Sequence, residues 1–265
     1  MREPESIDGN VVELHPTRFL ETQSVKEVRD HGQAALIILN SPLSDLEYFR
    51  RLYEHAAFLL CADGGANQLH DLMLSQTDGA SVDTALPDLI HGDLDSLNDT
   101  VRKRYEQLGV EISQDPDQYS TDFGKAVNKV LERLPDVTDV LVLGSLGGRV
   151  DQGIGLLHEF YREQKFRHPG LRFWLFSEAS VSTLLQAGTT VLHTPLDGGV
   201  IKRNIGILPL FGPARIRTEG LEWDVEDWLT EMGGQVSTSN HIMADKITIA
   251  TDRDVLFTVE RVINR

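Results

Sequence analysis

Residues 34–62, AALIILNSPLSDLEYFRRLYEHAAFLLCA, hold the reading that decides the fold. An apolar run, AALIIL at 34–39, leads into a segment opened by Ser44-Asp45-Leu46-Glu47, with apolar residues at Leu46, Phe49, Tyr53 and Ala57. The opening has the form of a capping box, and the spacing predicts a helix with one apolar face. A second apolar run, AFLLCA at 57–62, completes a strand–helix–strand unit. Outward from it the alternation continues, with short apolar runs at 88–91 (DLIH), 110–113 (VEIS), 139–144 (DVLVLG) and 171–176 (LRFWLF). Between them, Val101, Tyr105 and Leu108 precede Gly109, which sits where a helix C-cap belongs. Phe123, Val127, Val130, Leu131 and Leu134 form a further helical stripe. Strands alternating with helices predict a doubly wound, mostly parallel α/β/α domain over residues 31–178.

After residue 178 the pattern changes to short β-rich runs: TTVLHT, NIGILPLF, ARIRT, QVSTS, KITIA and VLFTVERV. Gly- and Asp-rich turn signals separate them, and only a short helical turn at 224–231 is suggested. Residues 179–265 are therefore expected to form an antiparallel β-sandwich. Residues 1–30, charged and weakly periodic, read as an N-terminal extension.

The chain has 265 residues and a formal net charge of 25 − 41 = −16. With 40% hydrophobic and 25% charged residues it is globular in composition, which excludes wholesale disorder. The acidic balance argues against a reader of nucleic-acid backbones, which needs clustered Lys and Arg. It leaves open a nucleotide enzyme, where Mg²⁺ carries the positive charge. One cysteine, Cys61, excludes an internal disulfide and suggests a reducing compartment. No signal-peptide core occurs in residues 1–30, and polar residues interrupt the uncharged stretch 179–196. A cytoplasmic protein outside the membrane is expected.

In a doubly wound sheet, ligands bind outside the carboxyl ends of the strands. Four successive strand ends here carry carboxylates, glycines or both. They are Asp63-Gly64-Gly65-Ala66-Asn67, Gly92-Asp93-Leu94-Asp95-Ser96, Asp115 to Asp122, and Gly144 to Gln152. Asp93 and Asp95, two apart, project to one side if the segment is extended. Two carboxylates about 4 Å apart repel by roughly 4 kcal/mol at an effective dielectric near 20. A hard cation bound to oxygen ligands and substrate phosphates relieves that. The plainer alternative, a solvated turn capping the next helix, weakens once Asp63 and Asp122 stand at neighbouring strand ends. Asp63 either caps the following helix or faces a ligand. Gly64-Gly65 permits a tight turn whatever the function.

Gly144 to Gly148 can bring backbone amides to phosphate oxygens, with Arg149 adding a charged fork; a flexible turn with a surface Arg is the alternative. No Walker P-loop, spaced dinucleotide fingerprint or Gly-x-Ser-x-Gly elbow is present. The nine histidines show no zinc-ligand spacing, and Cys61 reads as a small buried residue.

Taken together these strings resemble the thiamine pyrophosphokinase family. The matching segments are Cys61 to Asn67, Gly92 to Ser96, Pro116-Asp117-Gln118, Thr121-Asp122-Phe123, Gly148 to Gln152, Gly220-Leu221-Glu222-Trp223 and Val236 to Asn240. They stand in family order and span about residues 35–265. The resemblance implies a homodimer with its thiamine site at the subunit interface. It also implies Mg²⁺, with ATP as co-substrate and transfer of its terminal diphosphate to thiamine. It places Asp63, Asp93, Asp95 and Asp122 in an acidic metal and diphosphate centre, with Asp93, Asp95, Asp122 and Arg149 as the catalytic set. Asp63, Gly64, Gly148, Arg149, Asp151 and Gln152 would meet the nucleotide. Gln118, Asp122, Trp223, Ser239 and Asn240 would meet thiamine. Ser145 and Tyr119-Ser120 depart from the usual pattern without removing a ligand, and the general base is Asp122 or Asp93. Two other readings compete. One is a non-catalytic thiamine or nucleotide sensor, disfavoured by the intact acidic set. The other is a phosphate-transfer or hydrolytic enzyme using Asp-x-Asp alone, disfavoured by the Trp223 and Asn240 strings.

Overall fold

Residues Ala35 to Ile38 have no exposed surface at all, the mark of a strand covered on both faces by helices. The computed structural model describes residues 11–22, 34–75, 85–117 and 119–263. The described residues divide into two units, Thr22–Glu178 and Met1–Glu21 joined to Ala179–Arg265. The first described strand, β1 (Val11–Leu14), belongs to the second of these.

The Thr22–Glu178 unit contains β2 (Ala34–Ile38), α1 (Leu46–His55), β3 (Phe58–Ala62), α2 (Gly65–Ser75), β4 (Leu89–Gly92) and α3 (Asp99–Gln107). It continues through β5 (Glu111–Gln114), α4 (Asp122–Arg133), β6 (Asp139–Leu143), α5 (Val150–Arg162), a π turn at Glu163–Arg167, and β7 (Arg172–Phe176). Its strands lie in the order β7-β6-β2-β3-β4-β5, and their pairings are parallel. This is the doubly wound architecture that the alternating runs predict. The chain builds outward from β2 to β5 and then returns to lay β6 on the other side of β2. The loops after β2 and β6 therefore leave in opposite directions, which opens a crevice at their carboxyl ends.

Local chemistry explains the boundaries. The cap of α1 is Asp45, whose Oδ1 accepts the Tyr48 N–H at 2.9 Å, one residue later than the capping-box pattern places it. Ser44 Oγ instead donates to Glu178 at 2.8 Å. Helix α3 ends as expected: Gly109 has φ 79°, and its N–H donates to the Glu106 carbonyl at 3.1 Å. The π turn that prolongs α5 has no sequence signal. It carries the fully buried Glu163, held by Arg167 at 2.5 Å.

Gly64 and Gly65 are set by close approach to β2. A Cβ on Gly64 would lie 2.3 Å from Asn40 Nδ2, and one on Gly65 would lie 2.2 Å from the Ile38 carbonyl oxygen. Asn40 can swing away, but strand backbone cannot. Gly65→Ala is therefore expected to destabilise this unit by about 2–3 kcal/mol through forced backbone displacement, more than Gly64→Ala does. Denaturant melts of the two variants check the order.

The second unit holds β8 (Ser180–Leu185), β9 (Gly188–His193), β10 (Ile201–Leu208), β11 (Ala214–Glu219) and β12 (Trp228–Thr230). β13 (Ser237–His241), β14 (Lys246–Thr251) and β15 (Val255–Arg261) complete it. One sheet runs β1-β9-β14-β11-β12, and β13-β10-β15-β8 form another run of paired strands. All their pairings are antiparallel except β1 with β9. Ile205, Ile207, Ile216, Ile247, Ile249, Phe257 and Val259 are among the buried side chains, so this unit has an apolar core of its own. This matches the expected antiparallel β architecture. The suggested helical turn at 224–231 is corrected: Trp228–Thr230 is a strand, paired with β11. The strand Val11–Leu14 was not foreseen either. Only Leu14 of its four residues is buried, so it carries no period-two signal. Among the described residues no helix is long and apolar enough to cross a membrane.

Candidate functional site

The acidic strand ends converge. Asp63 follows β3 with φ 43°, a conformation that aims its side chain across the end of β4. Gly92, at the end of β4, makes room: a Cβ there would stand 2.9 Å from Asp63 Cβ. Asp63 Oδ2 accepts the Ser96 N–H at 3.1 Å. The Asp63 side chain is thus turned toward the loop that follows β4. Asp122 is the first residue of α4, a helix capped by Thr121 Oγ1 accepting the Gly124 N–H at 3.1 Å. One carboxylate oxygen from each of Asp63, Asp93 and Asp122 lies within 4.8 Å of the others.

Asp95 stands apart from this group. The segment 93–95 is not extended, because Leu94 has φ 66° and turns the chain. Asp93 Oδ1 accepts the Asp95 N–H at 3.3 Å, a local turn, and the exposed Asp95 accepts from Ser96 Oγ at 2.9 Å. Asp95 is not among the carboxylates that lie within 4.8 Å of one another, yet its charge still raises Asp63 and Asp122.

Electrostatics record the crowding. Burial first, and then the charges of Asp63 and Asp93, push Asp122 up to about 6. Burial likewise raises Asp63, partly offset by its hydrogen bonds from Ser96. Asp63 Oδ1 is buried with no hydrogen-bond partner. A buried carboxylate oxygen facing two further carboxylates, in an all-oxygen donor set, fits a hard dication such as Mg²⁺.

Residues not singled out from the sequence complete the cluster. Lys125, 2% exposed, brings Nζ to 3.9 Å from Asp93 Oδ2 and donates to the Asp115 carbonyl at 3.0 Å. It lies three residues after Asp122, on the same helix face, and that spacing was its available signal. Asn67 ties α2 to the loop after β4, donating to the Ser96 carbonyl at 2.7 Å and accepting the Asn98 N–H at 3.0 Å.

Beside the carboxylates lies a cavity of about 390 Å³. It sits at the crevice between the β2 and β6 loops, lined by Asn40, Ser41, Asp122, Gly144, Arg149 and Gln152 among others. Gly144 and Gly148 have φ 79° and 73°, so the glycine-rich loop bends as only glycine does readily before it enters α5. Arg149 is the N-cap residue of α5 and forms a fork with Asp151, at 3.1 and 2.6 Å. Both side chains are exposed. Cys61 is buried and free, and burial pushes its thiol up, which excludes a reactive nucleophile.

In the second unit, Trp223 is 55% exposed and lies 5.2 Å from the His241 ring. Asn240 is 5% exposed; its Oδ1 accepts the Trp223 N–H at 3.2 Å and the His241 N–H at 2.8 Å, and its Nδ2 donates to the Trp223 carbonyl at 2.9 Å. Ser239, with φ 57°, precedes it. The His241 Nδ1 pairs with Glu222, another contact with no sequence signal. Asn240 thus fixes the main chain of the tryptophan that it was expected to accompany. Gln118 lies outside the described residues.

Comparison with known proteins agrees with both units. The family model described as thiamin pyrophosphokinase, catalytic domain, matches residues 49–171, and that of its vitamin B1 binding domain matches residues 189–256. Thiamine pyrophosphokinase 1 of Arabidopsis thaliana is 32% identical over 258 residues, covering 94% of this chain and 93% of the relative. Thiamine pyrophosphokinase 2 of the same plant is 33% identical, covering 85% of each. The crystal structure of yeast thiamin pyrophosphokinase superposes with a TM-score of 0.83 at 25% identity, over 98% of this chain and 95% of the other. With these relatives matching nearly end to end, the chain belongs to the thiamin pyrophosphokinase family and is by that membership a diphosphotransferase.

Proposed function

We propose that this diphosphotransferase moves the terminal diphosphate of ATP onto the hydroxyethyl oxygen of thiamine, giving thiamine diphosphate and AMP. The observation that carries the reading is the convergence of Asp63, Asp93 and Asp122 beside the cavity at the β2/β6 crevice. In this reading Asp63, Asp93 and Asp122 hold Mg²⁺, and the exposed Asp95 is an outer member of the acidic centre. Bound there, the ion would neutralise charge on the transferring diphosphate. The glycine-rich loop, Gly64, Gly148, Gln152 and the Arg149–Asp151 fork meet the nucleotide, with Arg149 exchanging Asp151 for a phosphate. Lys125 holds a positive charge against Asp93 and keeps the centre from accumulating bare carboxylate repulsion. Asp122 lines the cavity, whereas Asp63 and Asp93 do not. It is accordingly the carboxylate whose oxygen takes the proton of the thiamine hydroxyl as that oxygen attacks the β-phosphorus and AMP departs.

Trp223 stacks on thiamine, whose permanent positive charge suits an acidic chain, and the family resemblance supports Ser239 and Gln118 as further thiamine contacts. Asn240 acts through Trp223. Asn240→Ala is expected to raise the thiamine KM about tenfold, and the Asn240→Ala/Trp223→Ala double variant to do no worse than Trp223→Ala alone. Additive losses in that cycle would give Asn240 a contact of its own. The family resemblance further supports a homodimer with the thiamine site at the subunit interface. The single buried Cys61 supports a cytoplasmic enzyme.

The test is a turnover assay with thiamine and ATP, run with saturating Mg²⁺ and again with excess chelator. Thiamine diphosphate should form only in the first. Saturable thiamine binding with no product in either would favour a sensor that has lost turnover.

A further inference from the structure

Histidine spacing along the chain gives no metal site, yet the second unit brings two histidines together. β1 runs parallel to β9 with Leu14 opposite Leu192, so the residues that follow, His15 and His193, fall side by side. Their rings stack with centroids 4.0 Å apart and planes 16° from parallel. Glu13 is two residues before His15 and therefore on the same side of the strand. Its Oε2 lies 2.7 Å from His193 Nε2. One candidate ligand atom from each of Glu13, His15 and His193 lies within 4.8 Å of the other two.

We propose that Glu13, His15 and His193 bind a borderline transition-metal dication, with Zn²⁺ as the representative ion, and that the ion fastens β1 to β9. Two imidazoles and a carboxylate suit Zn²⁺, Ni²⁺ or Cu²⁺ and not Mg²⁺, which favours oxygen. Zinc bonds of about 2.0–2.2 Å place ligand atoms roughly 3.3 Å apart, and because stacked rings keep their in-plane lone pairs parallel, the exposed His15 ring must turn out of the stack for both imidazoles to meet one ion. Glu13 is 60% exposed on its side chain and can adjust freely. The ion takes the place of the hydrogen shared by His193 and Glu13, and the fourth position is left to water. Lys246, opposite His193 on β14, opposes a dication and limits affinity. Such a clamp would secure a weakly held element, because among the described residues β1 lies at the edge of its sheet and pairs with β9 alone. The proposal is independent of the diphosphotransfer reading, because none of its residues belongs to that machinery.

Equilibrium dialysis of the full chain against Zn²⁺, with Mg²⁺ in large excess to occupy the aspartate centre, tests it. One Zn²⁺ per chain is expected. Its affinity should fall at least tenfold in His15→Gln and in His193→Gln, and stay unchanged in Asp93→Asn. Wild-type protein that retains no Zn²⁺, or histidine variants that retain it undiminished, would overturn the proposal. Should either histidine variant alter the far-UV spectrum, Glu13→Gln decides: it changes an exposed side chain, and undiminished Zn²⁺ binding there is equally contrary.

Discussion

Asp122→Asn lowers turnover by about three orders of magnitude while the chain stays folded, since it removes both a ligand charge and the proton acceptor. The same substitution has a distinctive effect on stability. Burial and two neighbouring carboxylates raise Asp122 from its ordinary 3.8 to about 6. Between those values the folded chain holds a proton that the unfolded chain has released. Stability therefore falls as pH rises from about 4 to about 6, and stays at the lower level above that. Asp63 shifts in the same direction, again chiefly through burial. Without divalent ion, wild type should lose more stability across this window than Asp122→Asn. At pH 7 the variant should be at least as stable as wild type. Denaturant melts at pH 4.5, 6 and 7.5 in chelator measure this. A variant that is inactive because it is unfolded at pH 7.5 would contradict it, as would wild-type turnover in Asp122→Asn at saturating Mg²⁺.

Trp223→Ala is expected to raise the thiamine KM about thirtyfold, the equivalent of about 2 kcal/mol of cation–π and stacking contact, with the ATP KM within twofold. The warrant is the exposure of the indole: a tryptophan 55% exposed contributes little to a core, yet its main chain is fixed from both sides by the buried Asn240. Steady-state kinetics with each substrate varied separately read the split. Equal rises in both KM values would take Trp223 out of the thiamine pocket.

The contrast between Asp93 and Asp95 shows how far the sequence could be read. That carboxylates gather at consecutive strand ends follows from the parallel sheet, and the sheet follows from apolar runs such as 34–39 and 139–144. Which carboxylates meet depends on backbone turns that leave no pattern. Leu94 in the left-handed region turns the chain between Asp93 and Asp95, while Asp63 in the same region presents its carboxylate to the Ser96 N–H. A non-glycine residue in that region has no reliable signature, so both outcomes were invisible. Lys125 had its three-residue spacing from Asp122 as a signal, but it sits on the buried face of α4 among Phe123, Ala126 and Val127, where a lysine reads first as an exception to the stripe. The strand Val11–Leu14 and the pairing of His15 with His193 depend on contacts about 180 residues apart in the chain. Periodicity within a window cannot report such contacts.

The central claim is diphosphate transfer at the Asp63–Asp93–Asp122 centre, and product stoichiometry tests it most directly. Purified protein is given thiamine, Mg²⁺ and ATP labelled at the β-phosphorus, and the products are separated chromatographically. The account predicts label in thiamine diphosphate and an equal amount of unlabelled AMP, both lost in Asp122→Asn. Thiamine monophosphate with labelled ADP would contradict it, because attack would then fall on the terminal phosphorus.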